Sequence, residues 1–276
     1  MVLSRDLGFA CLFRVTGLAS DNLDFLDVTE LSGNPISGEQ LERLAHRYLW
    51  ATDFCRGKDV AEVACGTGPG LGLLAKVSAS CEAGDFSAPM LDRVRRHYGE
   101  RIPLRQFDAT AMPYADASKD VLVVFEAIYY LQDIEKFRDE CSRVLRPGGY
   151  LLVATANKDL SDFNPSPHSH RYLGTTELEN VFQALGEVSL FGFMDLGTTS
   201  VKARVLRPVK SLAVRLGLMP KTMAGKRMLK RLVFGKPVRM PAEIDGTEID
   251  YERPRELSAA EPDRRHKVIY CAVKRI

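Results

Sequence analysis

The chain has 276 residues, 45% of them hydrophobic and 27% charged, with a net charge of +2. These values are ordinary for a soluble globular protein, long enough for one large domain or one domain with an insertion, and the overall charge implies no polyanion partner. The six cysteines show no C-x-x-C pair or other metal-ligand spacing, so no metal is expected and they read as reduced, buried residues of a cytoplasmic protein. No apolar run approaches the roughly eighteen residues of a membrane span, and the apolar patch Gly8–Phe13 is too short for a signal peptide.

Residues 1–36 form a poorly patterned extension in which 24–28 could pair as an edge strand or lie on the surface. Ser37 and Gln40 then make a capping box, and Leu41, Leu44, Ala45, Tyr48 and Leu49 share one face of a helix that Gly57 ends. His46 and Tyr48 on that helix could project toward a ligand. A first strand over Asp59–Val63 leads into Cys65-Gly66-Thr67-Gly68-Pro69-Gly70, followed by an apolar helix with Pro69 suited to its first turn. A strand, a glycine turn and a helix N-terminus form the usual ligand site of an open α/β sheet. The dinucleotide fingerprint G-x-G-x-x-G does not fit, because Leu71 stands where its third glycine belongs. Glu62, just before the turn, would repel a pyrophosphate and attract an ammonium group.

Glu62 with Gly66, Gly68 and Gly70 resembles the first motif of class I S-adenosylmethionine-dependent methyltransferases. The resemblance implies that this loop, Thr67 included, wraps the amino-acid end of S-adenosylmethionine as cofactor. A second strand, Ser80–Asp85, ends in an acidic residue able to accept hydrogen bonds from both ribose hydroxyls. Ser87 is expected to cap the next helix. The stretch from Gly84 through Asp85 and Phe86 to Leu91 is similar to the family's second motif. After a third strand, Leu104–Phe107, the resemblance implies that Asp108, with Ala109, meets the adenine amino group. Lys119–Phe125 is an apolar run suited to a strand buried on both faces; it leads into Glu126, where the family's substrate and methyl group meet. Phe125 and Tyr48 complete the expected cofactor-binding set. Asp133 caps a helix stopped by Arg146-Pro147-Gly148-Gly149, and the fifth strand, Tyr150–Ala154, follows as in the family.

Four matched segments in order imply an α/β, Rossmann-like, seven-stranded methyltransferase sheet. A helix capped at Thr175 or Thr176 precedes strand six, Val188–Met194. Strand seven, His266–Val273, is expected to be antiparallel and inserted between strands five and six. The core is thus 37–195 with last strand 266–276, interrupted by a basic helical insertion, 196–265. Residues 201–240 hold twelve Lys or Arg and no Asp or Glu. Lys226, Arg227, Lys230 and Arg231 fall on one helical face, with Met228, Leu229, Leu232 and Val233 on the other. That pattern suits a lid helix, an anionic membrane surface or a lipid-linked glycan; RNA is less favoured because aromatic residues do not interleave with the charges.

The expected activity is methyl transfer to a small-molecule, sugar or lipid-linked acceptor. The N/D-P-P-Y motif of amide and adenine methylation is missing after the fourth strand; Asn164-Pro165-Ser166-Pro167 is similar in letters only, and follows the fifth. No Pro-Cys pair serves pyrimidine C5 methylation. His168, His170 and Glu126 are the candidate bases, which favours O-methylation over N-methylation. Tyr129, Tyr130, Phe163 and Tyr172 either line an acceptor pocket or pack. Rival readings are an RNA 2′-O-methyltransferase using the basic insertion, a non-catalytic cofactor-binding or membrane-adaptor protein, and an NAD oxidoreductase.

Overall fold

The computed structural model describes residues 31–197 and 237–276. In chain order the strands are β1 (Pro35–Ile36), β2 (Asp59–Val63), β3 (Ser80–Asp85), β4 (Leu104–Gln106), β5 (Lys119–Phe125), β6 (Leu145–Ala156), β7 (Gly186–Asp195), β8 (Val238–Arg239), β9 (Arg255–Leu257) and β10 (His266–Arg275). The helices are α1 (Gly38–Cys55), α2 (Leu71–Val77), α3 (Ala88–Tyr98), α4 (Ile134–Val144) and α5 (Thr175–Phe182).

Among the described residues, eight strands form the main sheet in the order β4-β3-β2-β5-β6-β10-β7-β9. Strands β4, β3, β2, β5 and β6 run parallel. Strand β10 lies antiparallel between β6 and β7, as the sequence predicts. The chain winds outward from β2 through β3 to β4, then returns to β5 on the other side of β2. Such a switch point opens a crevice at the C-terminal ends of β2 and β5.

Successive side chains on these strands face opposite layers. Val60, Val121, Val123, Leu152 and Tyr270 pack under α1, α2 and α3, while Ala61, Val63, Leu122, Val124 and Val153 pack under α4 and α5. Burial on both faces is what makes these strands continuous apolar runs.

Several elements depart from the expected pattern. The sheet has eight strands instead of seven, because β9 adds antiparallel to the outer edge of β7 and covers an otherwise unpaired ladder. Strand β6 starts at Leu145 and carries Arg146-Pro147-Gly148-Gly149 as a register shift against β5 instead of a loop before it. The helix cap before α5 is Gly174, whose N–H donates to Glu177 Oε2 at 2.9 Å; Thr175 and Thr176 bond instead to the carbonyls of Glu261 and Ala259. Pro69 precedes α2, whose N-cap is Gly70. The expected edge strand at 24–28 and the basic helix at 226–233 lie outside the described residues. In the described part of the insertion, 237–265, the regular elements are β8 and β9 and not helices. No helix among the described residues is long and apolar enough to cross a membrane.

Candidate functional site

The capping box that starts α1 is present: Gln40 N–H donates to Ser37 Oγ at 3.1 Å, and Ser37 N–H to Gln40 Oε1 at 2.9 Å. It sets the helix so that Tyr48, 2% exposed, lies over the switch point. The Tyr48 hydroxyl donates to Glu62 Oε1 at 2.6 Å. Its ring occupies the space over Gly70, where an added Cβ would stand 2.2 Å from it. Gly70 is therefore a close-approach glycine, whereas Gly66 and Gly68 turn the chain at φ 57° and 65°.

Glu62 is 1% exposed at the penultimate position of β2. Burial pushes its carboxyl up to about 7, against the opposing pull of the Tyr48 hydroxyl and the Arg47 guanidinium. Glu62 Oε2 is buried and has no hydrogen-bond partner. A buried carboxylate oxygen of this kind fits an N–H donor from a ligand.

Asp85, at the end of β3, is tied to the same turn. Its Oδ2 accepts from Gly66 N–H and its Oδ1 from Ser87 N–H, each at 2.8 Å. Burial raises its pKa and these backbone donors oppose the shift. Ser87 is the N-cap residue of α3, as expected, but its side chain makes no cap hydrogen bond. Phe86 follows, 58% exposed, an apolar residue held beside a polar one. Asp108 is exposed, and its Oδ1 accepts from both N–H and Oγ1 of Thr110; Ala109 next to it is buried. Phe125 is nearly buried at the end of β5, edge-on to Tyr48 with ring centroids 5.3 Å apart.

Glu126 follows β5 with a left-handed backbone, φ 52°, as does Ala64 after β2, φ 54°. Such strain costs of order 1–3 kcal/mol per residue and gathers at functional sites. Glu126 Oε2 accepts from the Tyr129 hydroxyl at 3.1 Å, and Oε1 lies 3.7 Å from Arg47 Nη1. Arg47 carried no signal in the sequence beyond its place next to Tyr48, yet it lies 3.7 Å from Glu126 and its charge opposes the upward shift of Glu62.

The aromatic set forms one cluster. Tyr129 stacks on Tyr172 at 4.1 Å, Phe163 meets Tyr172 edge-on at 4.8 Å, and the Tyr130 hydroxyl lies 2.6 Å from Ser166 Oγ. Backbone N–H of His170 donates to the Tyr129 carbonyl at 2.8 Å, which docks the loop after β6 beside Glu126. The side chains of His168 and His170 are exposed. His46 does not face the crevice. It is 2% exposed and stacks on Phe193 at 3.5 Å. Its Nε2 lies 2.8 Å from the Glu252 carbonyl, which can only accept, so Nε2 carries the proton and Nδ1 accepts from the Tyr270 hydroxyl at 2.9 Å.

Residues 61–153 match the family model described as a methyltransferase domain. A protein of Mycolicibacterium smegmatis named as an S-adenosylmethionine-dependent methyltransferase is 36% identical over 172 residues, 59% of this chain and 63% of that one. A phthiotriol/phenolphthiotriol dimycocerosates methyltransferase of Mycobacterium ulcerans is 37% identical over 114 residues, 40% of this chain and 44% of its own length. The chain thus spans less than two thirds of the curated relatives it matches. Among solved structures, a chain from the complex of the Haloferax volcanii Trm112 methyltransferase activator with a methyltransferase superposes with a TM-score of 0.54 at 16% identity, over 86% of this chain and 92% of that one, a likeness of fold. The matched segment carries the glycine turn and the carboxylates at the ends of β2 and β3, and its likeness is to class I methyltransferase domains, a family whose cofactor is S-adenosylmethionine.

Proposed function

We propose that this chain transfers the methyl group of S-adenosylmethionine to a hydroxyl of a small or lipid-linked acceptor. Glu62 carries the cofactor half of the reading: a buried carboxylate whose Oε2 lacks a partner suits the ammonium of the amino-acid moiety. Asp85, fixed by Gly66 and Ser87, retains lone pairs for ribose hydroxyls, and the exposed Phe86 ring offers the adenine a stacking face. When bound, the cofactor supplies an electrophilic methyl on a sulfonium.

What remains for the protein is to hold an acceptor in line and to take its proton. Glu126 takes the second task in this reading, supported by Tyr129 donating to one of its oxygens and Arg47 lying near the other. His168 and His170, exposed in the neighbouring loop, are the alternative proton acceptors. The aromatic cluster of Tyr129, Tyr130, Phe163 and Tyr172 supports an apolar acceptor body, as does the lipid named for the Mycobacterium ulcerans relative.

Calorimetric titration tests the cofactor half, with S-adenosylmethionine and S-adenosylhomocysteine expected to bind and NADH not. Preferential NADH binding would overturn the reading. On the acceptor side, Glu126→Gln should abolish turnover of a hydroxylated lipid acceptor while cofactor affinity holds. Full turnover by that variant, with loss in His168→Ala or His170→Ala, would move the proton acceptor to the loop.

A further inference from the structure

We infer that Glu243, 171 residues after Gly72 in sequence, is a positioning residue for the cofactor turn. The inference rests on the cofactor reading of that turn. Gly72 is the fourth in a row of alternating glycines, Gly66, Gly68, Gly70 and Gly72. It stands inside α2, where glycine is a poor helix former. Its reason lies outside the helix: a Cβ on Gly72 would come within 1.7 Å of Glu243 Oε1.

The carboxylate occupies that space because it is held there. Glu243 Oε2 is 2.8 Å from His97 Nε2 and 2.8 Å from Arg101 Nη2. Arg101 in turn lies over the Tyr98 ring, 4.8 Å from its centroid. The Tyr98 hydroxyl donates to the Gly68 carbonyl at 2.8 Å and accepts from Gly72 N–H at 3.2 Å. One residue on, Ile244 N–H donates to the Pro69 carbonyl at 2.8 Å.

The strap that brings Glu243 here is itself anchored. Met240 exchanges backbone hydrogen bonds with Gly33 and Asn34, each 2.9 Å, and β8 pairs with β1. Met240 and Ile244 are buried in the core under α1 and α2. The turn that must meet the cofactor is therefore splinted from outside, by Ile244 on Pro69 and by Glu243 through Arg101 and Tyr98 on Gly68 and Gly72. Such a splint raises affinity by ordering the site before the ligand arrives.

The test is a double-mutant cycle on the full chain, reading the dissociation constant of S-adenosylmethionine by calorimetry and, separately, the cofactor-free melting temperature. Glu243→Ala should weaken binding about tenfold, and Glu243→Gln less than about threefold, because its amide oxygen still accepts from Arg101. Gly72→Ala should weaken binding about as much as Glu243→Ala, although alanine is the better helix former. In the Glu243→Ala background, Gly72→Ala should add little, since nothing is left to collide with. Lower melting temperatures with unchanged dissociation constants would overturn the inference, and so would additive losses. If wild type binds no S-adenosylmethionine, the cofactor reading falls and takes this inference with it. If wild type binds and both single variants match it, only the role of Glu243 falls.

Discussion

Replacing Glu62 by glutamine isolates the consequence of burying a carboxylate beneath α1. Burial moves this carboxyl from 4.5 to about 7. Between those values the folded chain keeps a proton that the unfolded chain has lost. The associated stability is complete below pH 4.5 and is lost as pH rises through 7. A shift of roughly two and a half units corresponds to about 3 kcal/mol. Glutamine mimics the neutral acid and cannot ionise. The cofactor-free variant should therefore match wild type near pH 4.5 and exceed it by about 3 kcal/mol at pH 8. His46 acts in the opposite sense. Burial lowers its ring from 6.5 to about 4, so its contribution is present above pH 6.5 and lost as pH falls through 4. In wild type the two contributions offset each other between pH 4.5 and 6.5. In Glu62→Gln the His46 loss is uncovered, and stability should drop by about 3 kcal/mol from pH 6.5 to 4. Urea unfolding of both proteins from pH 4 to 8, without cofactor and at constant ionic strength, reads this directly. A difference between the two proteins that does not change with pH would refute the reasoning. Saturating S-adenosylmethionine should restore much of the wild-type deficit at pH 8, because a ligand stabilises only the form it binds.

Gly70→Ala places a methyl 2.2 Å from the Tyr48 ring; it should cost about 1–3 kcal/mol in urea unfolding and weaken cofactor binding, since the ring must leave Glu62 to relieve the clash. Phe86→Ala removes an exposed ring, so stability should stay within about 0.5 kcal/mol of wild type while the S-adenosylhomocysteine dissociation constant rises several-fold; an unchanged constant removes Phe86 from the site. Tyr129→Phe takes the hydroxyl from Glu126 Oε2 and should lower kcat for a hydroxyl acceptor with little change in cofactor affinity, which turnover assays paired with calorimetry would separate.

The central parallel strands β2 and β5 were legible because burial on both faces leaves a largely apolar run, Lys119–Phe125 most plainly. Ser37 and Gln40 were legible because both halves of a capping box lie three residues apart. Helix starts whose donors are served from elsewhere were not. Asp85 serves Ser87 from two residues upstream, and Glu177 serves Gly174 from within the helix. Ser87 stands at its N-cap without a side-chain cap bond, and at α5 the N-cap is Gly174, one residue before the first Thr. The role of His46 depends on Tyr270 and Glu252, more than 200 residues away, and no local pattern encodes it. The same holds for Arg47, Glu243 and the eighth strand. The residues that spacing singles out lie on the glycine turn and at strand ends, whereas Arg47 and Glu243 come from other segments.

The charges around the turn explain why the glycine pattern alone was a weak discriminator and its surroundings a strong one. A dinucleotide loop presents N–H groups to a pyrophosphate and is disfavoured by a carboxylate directly beneath the turn. Here Gly66 N–H is already committed to Asp85, and Glu62 lies beneath the turn with one oxygen unpartnered. Glu126 stands at the next strand end, 3.7 Å from Arg47, whose charge also acts on Glu62. Among the described residues, three acidic side chains against one guanidinium favour a cationic ligand once Glu62 ionises, above about pH 7, in a poorly solvated crevice where charge is felt most strongly. S-adenosylmethionine carries an ammonium and a sulfonium; its product keeps only the ammonium. The same imbalance that attracts the cofactor should therefore hold the product less firmly. Tighter binding of S-adenosylhomocysteine than of S-adenosylmethionine at low ionic strength would show that contacts other than charge set the order.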